Sequence, residues 1–303
     1  MENIVIMMTL FAIVIVGFFA GKLGYMGGDF DKRLSNLVID ITCPALILSS
    51  TMGGTLPDRQ MILPLLGISL LTYVVLTAVA LLLPRYITHR SEDQGVVGFA
   101  LMFGNVGFIG YPVVASIFGH QAVFYAAVLN VVNTFAVFTV GTMLVMGGRG
   151  VYQFHKNVLW STPMLAAYLA MLIVAFDIDY IPRVISQPLT MIGQITVPAA
   201  LLIIGSSMSH LSTRTMLGNR TVYATSLFRI ALLPLALYFL CTLLGFSPLV
   251  VSINTVVIAM PVATYGTILC LKYERDTTLI TELTFITTLL SVVTIPLVAQ
   301  FFA

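Results

Sequence analysis

Gly104-Asn105-Val106-Gly107-Phe108-Ile109-Gly110-Tyr111-Pro112-Val113 lies within sequence apolar enough for a membrane, yet it cannot be an ordinary membrane helix. Three glycines and a proline fall within nine residues. Proline removes an N–H and clashes with the preceding turn, and glycine lowers the cost of leaving helical geometry, so the helix is expected to break here, with Asn105 at the break. At membrane depth a freed backbone amide or carbonyl is tolerated only where protein or a wet cavity satisfies it, which makes this stretch a candidate lining for a solute site. The second half repeats the pattern. In Asn254-Thr255-Val256-Val257-Ile258-Ala259-Met260-Pro261-Val262, Asn again stands seven residues before Pro, Ile three before it and Val just after it. On that spacing Asn105, Ile109, Pro112 and Val113 correspond to Asn254, Ile258, Pro261 and Val262, 149 residues further on.

Around these motifs the chain is 59% hydrophobic and 9% charged over 303 residues, with a mean hydropathy of +1.03. A water-soluble globule would carry about a quarter charged residues, so this is an all-α polytopic membrane protein whose first partner is the lipid bilayer. A net charge of +2, with its basic residues dispersed through loops, does not fit nucleic-acid binding. Cys43, Cys241 and Cys270 lie inside apolar runs and read as small packing residues, with neither disulfide nor metal-ligand spacing.

Ten apolar runs, helices 1 to 10, are expected at about 4–20, 34–53, 61–83, 95–118, 121–146, 158–176, 184–208, 221–245, 248–271 and 278–302. The first lacks a basic start and reads as a retained span rather than a signal peptide. The connections after helices 1, 3, 5, 7 and 9 hold Lys22, Lys32, Arg33, Arg85, Arg90, Arg149, Lys156, Arg214, Arg220, Lys272 and Arg275, whereas those on the other side hold only Arg59 and Arg183. This bias places the odd-numbered connections in the cytoplasm and both termini on the extracytoplasmic side of a cell inner (plasma) membrane. Arg229 is the one remaining basic residue, and it falls inside helix 8.

A second pair of motifs tests the repeat. Asp40-Ile41-Thr42-Cys43-Pro44-Ala45-Leu46 in helix 2 and Gln194-Ile195-Thr196-Val197-Pro198-Ala199-Ala200 in helix 7 share Ile, Thr, Pro and Ala, 154 residues apart. Two motifs in the same order at nearly one period give two five-helix repeats, residues 1–150 and 151–303, joined by the polar segment around Gly147 to Asn157. An odd number of spans per repeat forces the halves to insert upside down relative to each other. Paired broken helices 4 and 9 in inverted repeats point to a secondary transporter with a midplane site. Half-helix N-termini at the two breaks present N–H groups and partial positive charge, which suits an anion such as a small organic carboxylate.

In its ten helices, its two halves, Gly104-Asn105 leading to Gly110-Tyr111-Pro112, the prolines Pro44 and Pro198, and Pro261, the whole chain resembles the auxin efflux carrier family, as a short bacterial member without the long loop of many plant exporters. More distantly, its general architecture resembles that of the bile acid sodium symporters. The resemblance implies a scaffold of helices 1, 2, 6 and 7, a transport domain of helices 3–5 and 8–10, a substrate site at the helix 4/9 crossover, a homodimer, and organic acids such as malate or malonate as substrates.

The candidate substrate-binding residues are Asn105, Gly110, Pro112, Asn254, Pro261, Thr264, Asn130, Asn133 and Arg229. Asn105 and Asn254 either cap broken backbone or contact the substrate, and the two roles can coexist. Pro112 and Pro261 are expected to act indirectly by exposing dipole ends. Asn130 and Asn133 share a face of helix 5, where interhelical hydrogen bonding is the plainer reading. Arg229 either attracts an anion, neutralises Asp40 or Glu282, or snorkels to phosphates. Asp40, about two turns inside helix 2, is the first candidate for proton coupling, with an ion pair or an interfacial carboxylate as its alternatives, and Glu282 is the second. No cofactor is expected. The proton is preferred to sodium as coupling ion, because no all-oxygen cage is visible. His89, His120, His155 and His210 all fall at loops or helix ends, and there is no nucleotide loop or nucleophile elbow, so the chain does not read as an enzyme. A carrier leads, with an anion channel or a membrane sensor as alternatives.

Overall fold

The computed structural model describes residues 2–52, 56–147, 160–178, 180–209 and 219–302. Arg149, Lys156, Arg214, His155, His210 and most of the expected join between the halves lie outside these residues. Apart from gaps inside helices 4 and 9 and a few residues at the ends, the described part of every apolar run is helical. Helix 1 is Glu2–Lys22, and helix 2 runs from Gly28–Leu37 through Val38–Thr42 to Cys43–Ser49. Helix 3 is Arg59–Leu82, and helix 4 is Ser91–Met102 followed, after a gap, by Val106–Phe118. Helix 5 is Ala122–Met146, helix 6 Thr162–Ala175, and helix 7 Arg183–Gln194 continued by Thr196–Ser209. Helix 8 is Arg220–Leu243, helix 9 is Pro248–Ile258 and Tyr265–Lys272, and helix 10 is Thr278–Phe302. Helices 3, 5, 7, 8 and 10 contain stretches long and apolar enough to cross a bilayer, which makes this a multi-pass helical membrane protein.

Proline leaves a recurrent local signature. A five-residue π-helical turn immediately precedes Cys43-Pro44, Tyr111-Pro112 and Leu233-Pro234, at Val38–Thr42, Val106–Gly110 and Phe228–Leu232. A proline cannot donate to the carbonyl four residues back and its ring crowds that carbonyl; widening the preceding turn relieves both problems without ending the helix. This accounts for a helix 2 that passes through Pro44 intact.

Helix 2 packs on helices 6 and 7, and helix 1 lies along helix 7 at very short range. A Cβ on Gly17 would fall into the backbone of Leu202, and one on Gly205 into the backbone of Val14 and Phe18, so small residues let the two backbones touch. Helix 3 packs on helices 4 and 5, and helix 10 on helices 8 and 9.

Contacts at the two ends of the bundle sort by connection. Arg59, the first residue of helix 3, pairs with Asp177, after helix 6, at 3.0 Å, and the Asp58 N–H donates to the Tyr125 hydroxyl at 3.1 Å. Ser49 Oγ lies 3.1 Å from His120 Nε2 in the same region, joining the end of helix 2 to the loop between helices 4 and 5. At the other end an Arg275 Nη2 donates to the Glu92 carbonyl at 2.8 Å, and the Ser206 hydroxyl donates to Asp31 at 2.6 Å.

Candidate functional site

The gaps in helices 4 and 9 cross each other. Beyond Met102 the chain turns extended at Phe103 (φ −112°, ψ 122°), and beyond Ile258 it leaves the helix around Pro261. Gly104 and Val262 then face each other as an isolated antiparallel pair. The Asn105 N–H donates to the Pro261 carbonyl at 2.8 Å, and the Ala263 N–H donates to the Phe103 carbonyl at 3.1 Å. The Val262 N–H donates to Thr287 Oγ1 at 3.0 Å. Each broken helix thereby supplies the partners that the other lost, as a low-dielectric interior requires.

The two cross-bonds are exchanged by a local two-fold through Gly104 and Val262, residues separated by 158 positions. In this register Asn105 corresponds to Ala263, not to Asn254. Asn254 lies inside the regular helix Pro248–Ile258, 3% exposed, and its Nδ2 donates to Thr72 Oγ1 of helix 3 at 3.0 Å. Pro112 likewise differs from expectation. It sits inside the continuous helical segment Val106–Phe118, accommodated by the π-helical turn before it, and the break lies seven residues or more upstream at Phe103–Asn105. Pro261 does fall in its gap.

At each gap a helix begins. Asn105 is the N-cap of the segment starting at Val106, its Oδ1 accepting from the Phe108 N–H at 3.2 Å, and Tyr265 opens the second half of helix 9. Both starts border one cavity of ≈ 530 Å³. Gly104, Asn105 and Tyr111 line it from helix 4; Asn130, Asn133 and Thr134 from helix 5; and Thr264 and Tyr265 from helix 9. The opposite wall is Val38, Ile39 and Cys43 of helix 2 with Ser161, Pro163 and Met164 at the start of helix 6. Thr264, beside the crossing point, is exposed, so the cavity is open. Its polar side is held by a chain of hydrogen bonds: the Tyr73 hydroxyl donates to Asn133 Oδ1 at 2.7 Å, Asn133 Nδ2 donates to Asn130 Oδ1 at 2.7 Å, and Asn130 is in turn hydrogen-bonded with the Tyr111 side chain.

Of the expected site residues, Asn105, Thr264, Asn130 and Asn133 therefore meet at the cavity. Gly110, Pro112, Asn254, Pro261, Arg229 and Glu282 do not line it. Gly110 packs against Val106 and Met260, and Arg229, 1% exposed, lies behind the crossing against Gly104. Glu282 is half-buried near the start of helix 10. Asp40, expected to be enclosed, is exposed and accepts from Thr162 Oγ1 at 3.2 Å, at the first residue of helix 6 beside the cavity rim. The π-helical turn at Val38–Thr42 carries Val38 and Ile39 on the cavity wall, while Asp40 faces the helix 6 start. Sequence reasoning missed Tyr111, Thr134 and Ser161 as lining residues. Tyr111 adjoins Pro112 and Thr134 stands one turn beyond Asn130, so both carried a local signal; Ser161 carried none.

A family model described as membrane transport protein matches residues 3–162 and 153–299. An uncharacterized transporter of Methanocaldococcus jannaschii is 28% identical over 300 residues, covering 96% of both chains. An uncharacterized transporter of Methanothermobacter thermautotrophicus is 27% identical, covering 96% of this chain and 95% of its own. A protein of Rhizobium meliloti whose name proposes malonate transport is 22% identical over 96% of this chain and 92% of its own. With a match along almost its whole length and helices able to cross a bilayer, the chain is a transporter rather than an enzyme, and it belongs to the membrane transport protein family, that of the auxin efflux carriers.

Proposed function

We propose that this transporter is a secondary carrier of small organic anions, mono- or dicarboxylates of the malate and malonate kind, which it moves by alternating access at the helix 4/9 crossover. The observation that carries the reading is the pair of helix starts, at Val106 and Tyr265, bordering one open cavity whose polar wall is Asn105, Asn130, Asn133 and Thr264. Two positive helix ends beside amide and hydroxyl donors suit a carboxylate. The two walls belong to different helix groups, as a carrier needs if one group is to shift against the other: helices 1, 2, 6 and 7 form the scaffold and helices 3–5 and 8–10 the moving domain. The name of the Rhizobium meliloti relative agrees with the substrate class.

The same proposal includes ten spans in two inverted repeats, 1–150 and 151–303, with both termini on the extracytoplasmic side of the plasma membrane. It is supported by the sorting of connections: those after helices 2, 4 and 6 meet at one end, through Arg59–Asp177 and Ser49–His120, and those after helices 3 and 9 at the other, through Arg275 and Glu92. In this orientation the cavity opens to the cytoplasm while the extracytoplasmic contacts hold the other side shut. Cysteines introduced at Pro57 and Glu92, in a background without the native three, test it: Pro57 should label from outside and Glu92 only after permeabilisation, and the reverse pattern would reject the orientation.

Uptake of labelled malonate into proteoliposomes tests the carrier. Saturable uptake accelerated by unlabelled malonate on the opposite side is expected; uptake that neither saturates nor shows counterflow would assign a channel. For the coupling ion the proton is the choice proposed, with Asp40, at the cavity rim where helices 2 and 6 meet, as the first group to substitute. Asp40→Asn should retain counterflow while net uptake loses its dependence on an imposed pH gradient. If that dependence is unchanged, Glu282 is the next group to substitute; if wild-type uptake ignores the gradient and requires sodium, proton coupling is wrong.

A further inference from the structure

Arg229 is the largest fully buried side chain, 1% exposed, and its Nε and Nη1 have no hydrogen-bond partner among the described residues. No carboxylate of those residues pairs with it. An enclosed guanidinium with nothing to neutralise it is costly, and such groups are ordinarily paired. Its position gives the reason for its presence. A Cβ placed on Gly104 would collide with Arg229 Nη2, and the same point lies 3.3 Å from Arg229 Cζ and 3.2 Å from the Met260 carbonyl oxygen. The cation therefore rests on the back of the crossing, and Gly104, whose other side lines the cavity, is the thinnest wall the backbone can offer.

The polarity of the four half-helices explains what a cation does there. Two begin at the crossing, at Val106 and Tyr265, and these favour an anion. Two end there, at Met102 and Ile258, and their carbonyl ends repel one. Without a further charge the four dipoles largely oppose each other. We infer that Arg229 is a built-in countercharge, acting across Gly104 without touching the substrate, which cancels the two negative helix ends and makes the cavity select ligands by the number of negative charges they carry. The inference rests on the reading of this cavity as a carboxylate site and adds to it that the doubly charged form is the preferred ligand.

Malonate, malonamate and malonamide share one skeleton and are doubly charged, singly charged and neutral at neutral pH. Calorimetric titration of the purified protein with the three should give affinities in that order. In Arg229→Met the series should flatten, with the singly charged ligand losing roughly tenfold, the doubly charged one roughly a hundredfold, and the neutral one unchanged; Arg229→Lys should keep the wild-type order. Equal losses for all three ligands would mean a purely structural arginine, and an unflattened series would place the selecting charge elsewhere; either result overturns the inference. Should Arg229→Met fail to fold, the wild type decides: a preference for the doubly charged ligand that survives high salt is expected of a buried charge, and one that collapses with salt belongs to surface charges and overturns it. If the wild type binds the carboxylates without ranking them by charge, only the countercharge falls, whereas binding of no carboxylate at all removes the underlying site as well.

Discussion

The two strands that cross at the centre of the molecule, Phe103–Asn105 and Pro261–Ala263, do the same structural work with unrelated side chains. Each gives one N–H and takes one through one carbonyl. One contains Gly104 and an asparagine that caps the following helix; the other contains a proline and no asparagine. The resemblance of Asn105 to Asn254 and of Pro112 to Pro261 lies nine residues out of the register that the backbone bonds define. Equivalence at this crossing resides in the pairing of broken backbone, while the side chains at matched sequence spacings, Asn105 and Asn254, do different work.

The largest effect expected from this comparison follows from removing one of the cross-bonds. Ala263→Pro deletes the N–H that reaches the Phe103 carbonyl and should cost about 3 kcal/mol, enough to lower the yield and melting temperature of purified protein sharply. Pro261→Ala keeps the carbonyl that accepts from Asn105 and should cost less than about 1 kcal/mol. Equal losses in the two variants would show that ring rigidity, not the exchanged bonds, holds the crossing together.

The two asparagines should separate next. Asn105→Ala removes both a cap and a cavity-lining amide, and should weaken carboxylate binding by roughly 1–3 kcal/mol, the worth of a hydrogen bond to a charged group. Asn254→Ala leaves the buried Thr72 hydroxyl without its donor and should lower stability by about 1 kcal/mol with ligand affinity unchanged. Titration calorimetry and thermal melts on both proteins distinguish these outcomes. Loss of affinity in Asn254→Ala alone would restore the sequence register and move the site to the other asparagine.

What could be read from sequence divides along physical lines. Helix positions and the existence of two breaks were legible because apolar run length and clustered Gly and Pro act locally. The place of the break within helix 4 was not, since Pro112 is absorbed by a π-helical turn and the extended strand begins at Phe103. Asn130 and Asn133 could be picked out as a pair at helical spacing, but their link through Tyr73 and Tyr111 depends on three helices meeting. Arg229 was conspicuous as the one basic residue inside a span; that it rests on Gly104 depends on packing between residues more than a hundred positions apart. Asp40 was legible as a charge in an apolar run, whereas its contact with Thr162 required knowing that helix 6 starts beside it.

A smaller effect contrasts two glycines of the opening motif. Gly104→Ala places a methyl group in the space of Arg229 Nη2 and 3.2 Å from the Met260 carbonyl, and should cost roughly 1–3 kcal/mol in a thermal or chemical melt. Gly107→Ala meets nothing within 4 Å and lies in a helical turn, so it should be neutral or stabilising by up to roughly 1 kcal/mol. A Gly104→Ala protein as stable as the wild type would mean that the guanidinium has room to withdraw, which the burial of Arg229 argues against.

The comparison extends to the loops where the second halves of the broken helices finish. After Phe118 comes His120, whose pKa burial lowers from its ordinary 6.5, with hydrogen bonding to Ser49 pulling the other way. After Lys272 comes Asp276, whose carboxyl is held below its ordinary 3.8 first by the Thr278 N–H and then by the Thr278 hydroxyl, at 2.9 and 2.7 Å. Both groups bind fewer protons folded than unfolded between their two pKa values, so both contributions are complete above the unfolded value and are lost as pH falls through the folded one. The windows differ: the histidine contribution fades as pH drops from about 6.5, and the aspartate contribution only below about 3.8. Melting temperature measured against pH should therefore fall for the wild type relative to His120→Gln as pH drops through the first window, where burial penalises the charged imidazole, and should converge for wild type and Asp276→Asn as pH drops through the second, where the carboxylate's hydrogen bonds are lost. The effect is expected to be small, a few degrees at most, because each group is one of many that titrate and Asp276 is exposed to solvent. A wild type that gains stability relative to His120→Gln as pH falls below 6.5 would mean that the charged imidazole is the form the fold prefers, and that Ser49 outweighs burial at this end of helix 4.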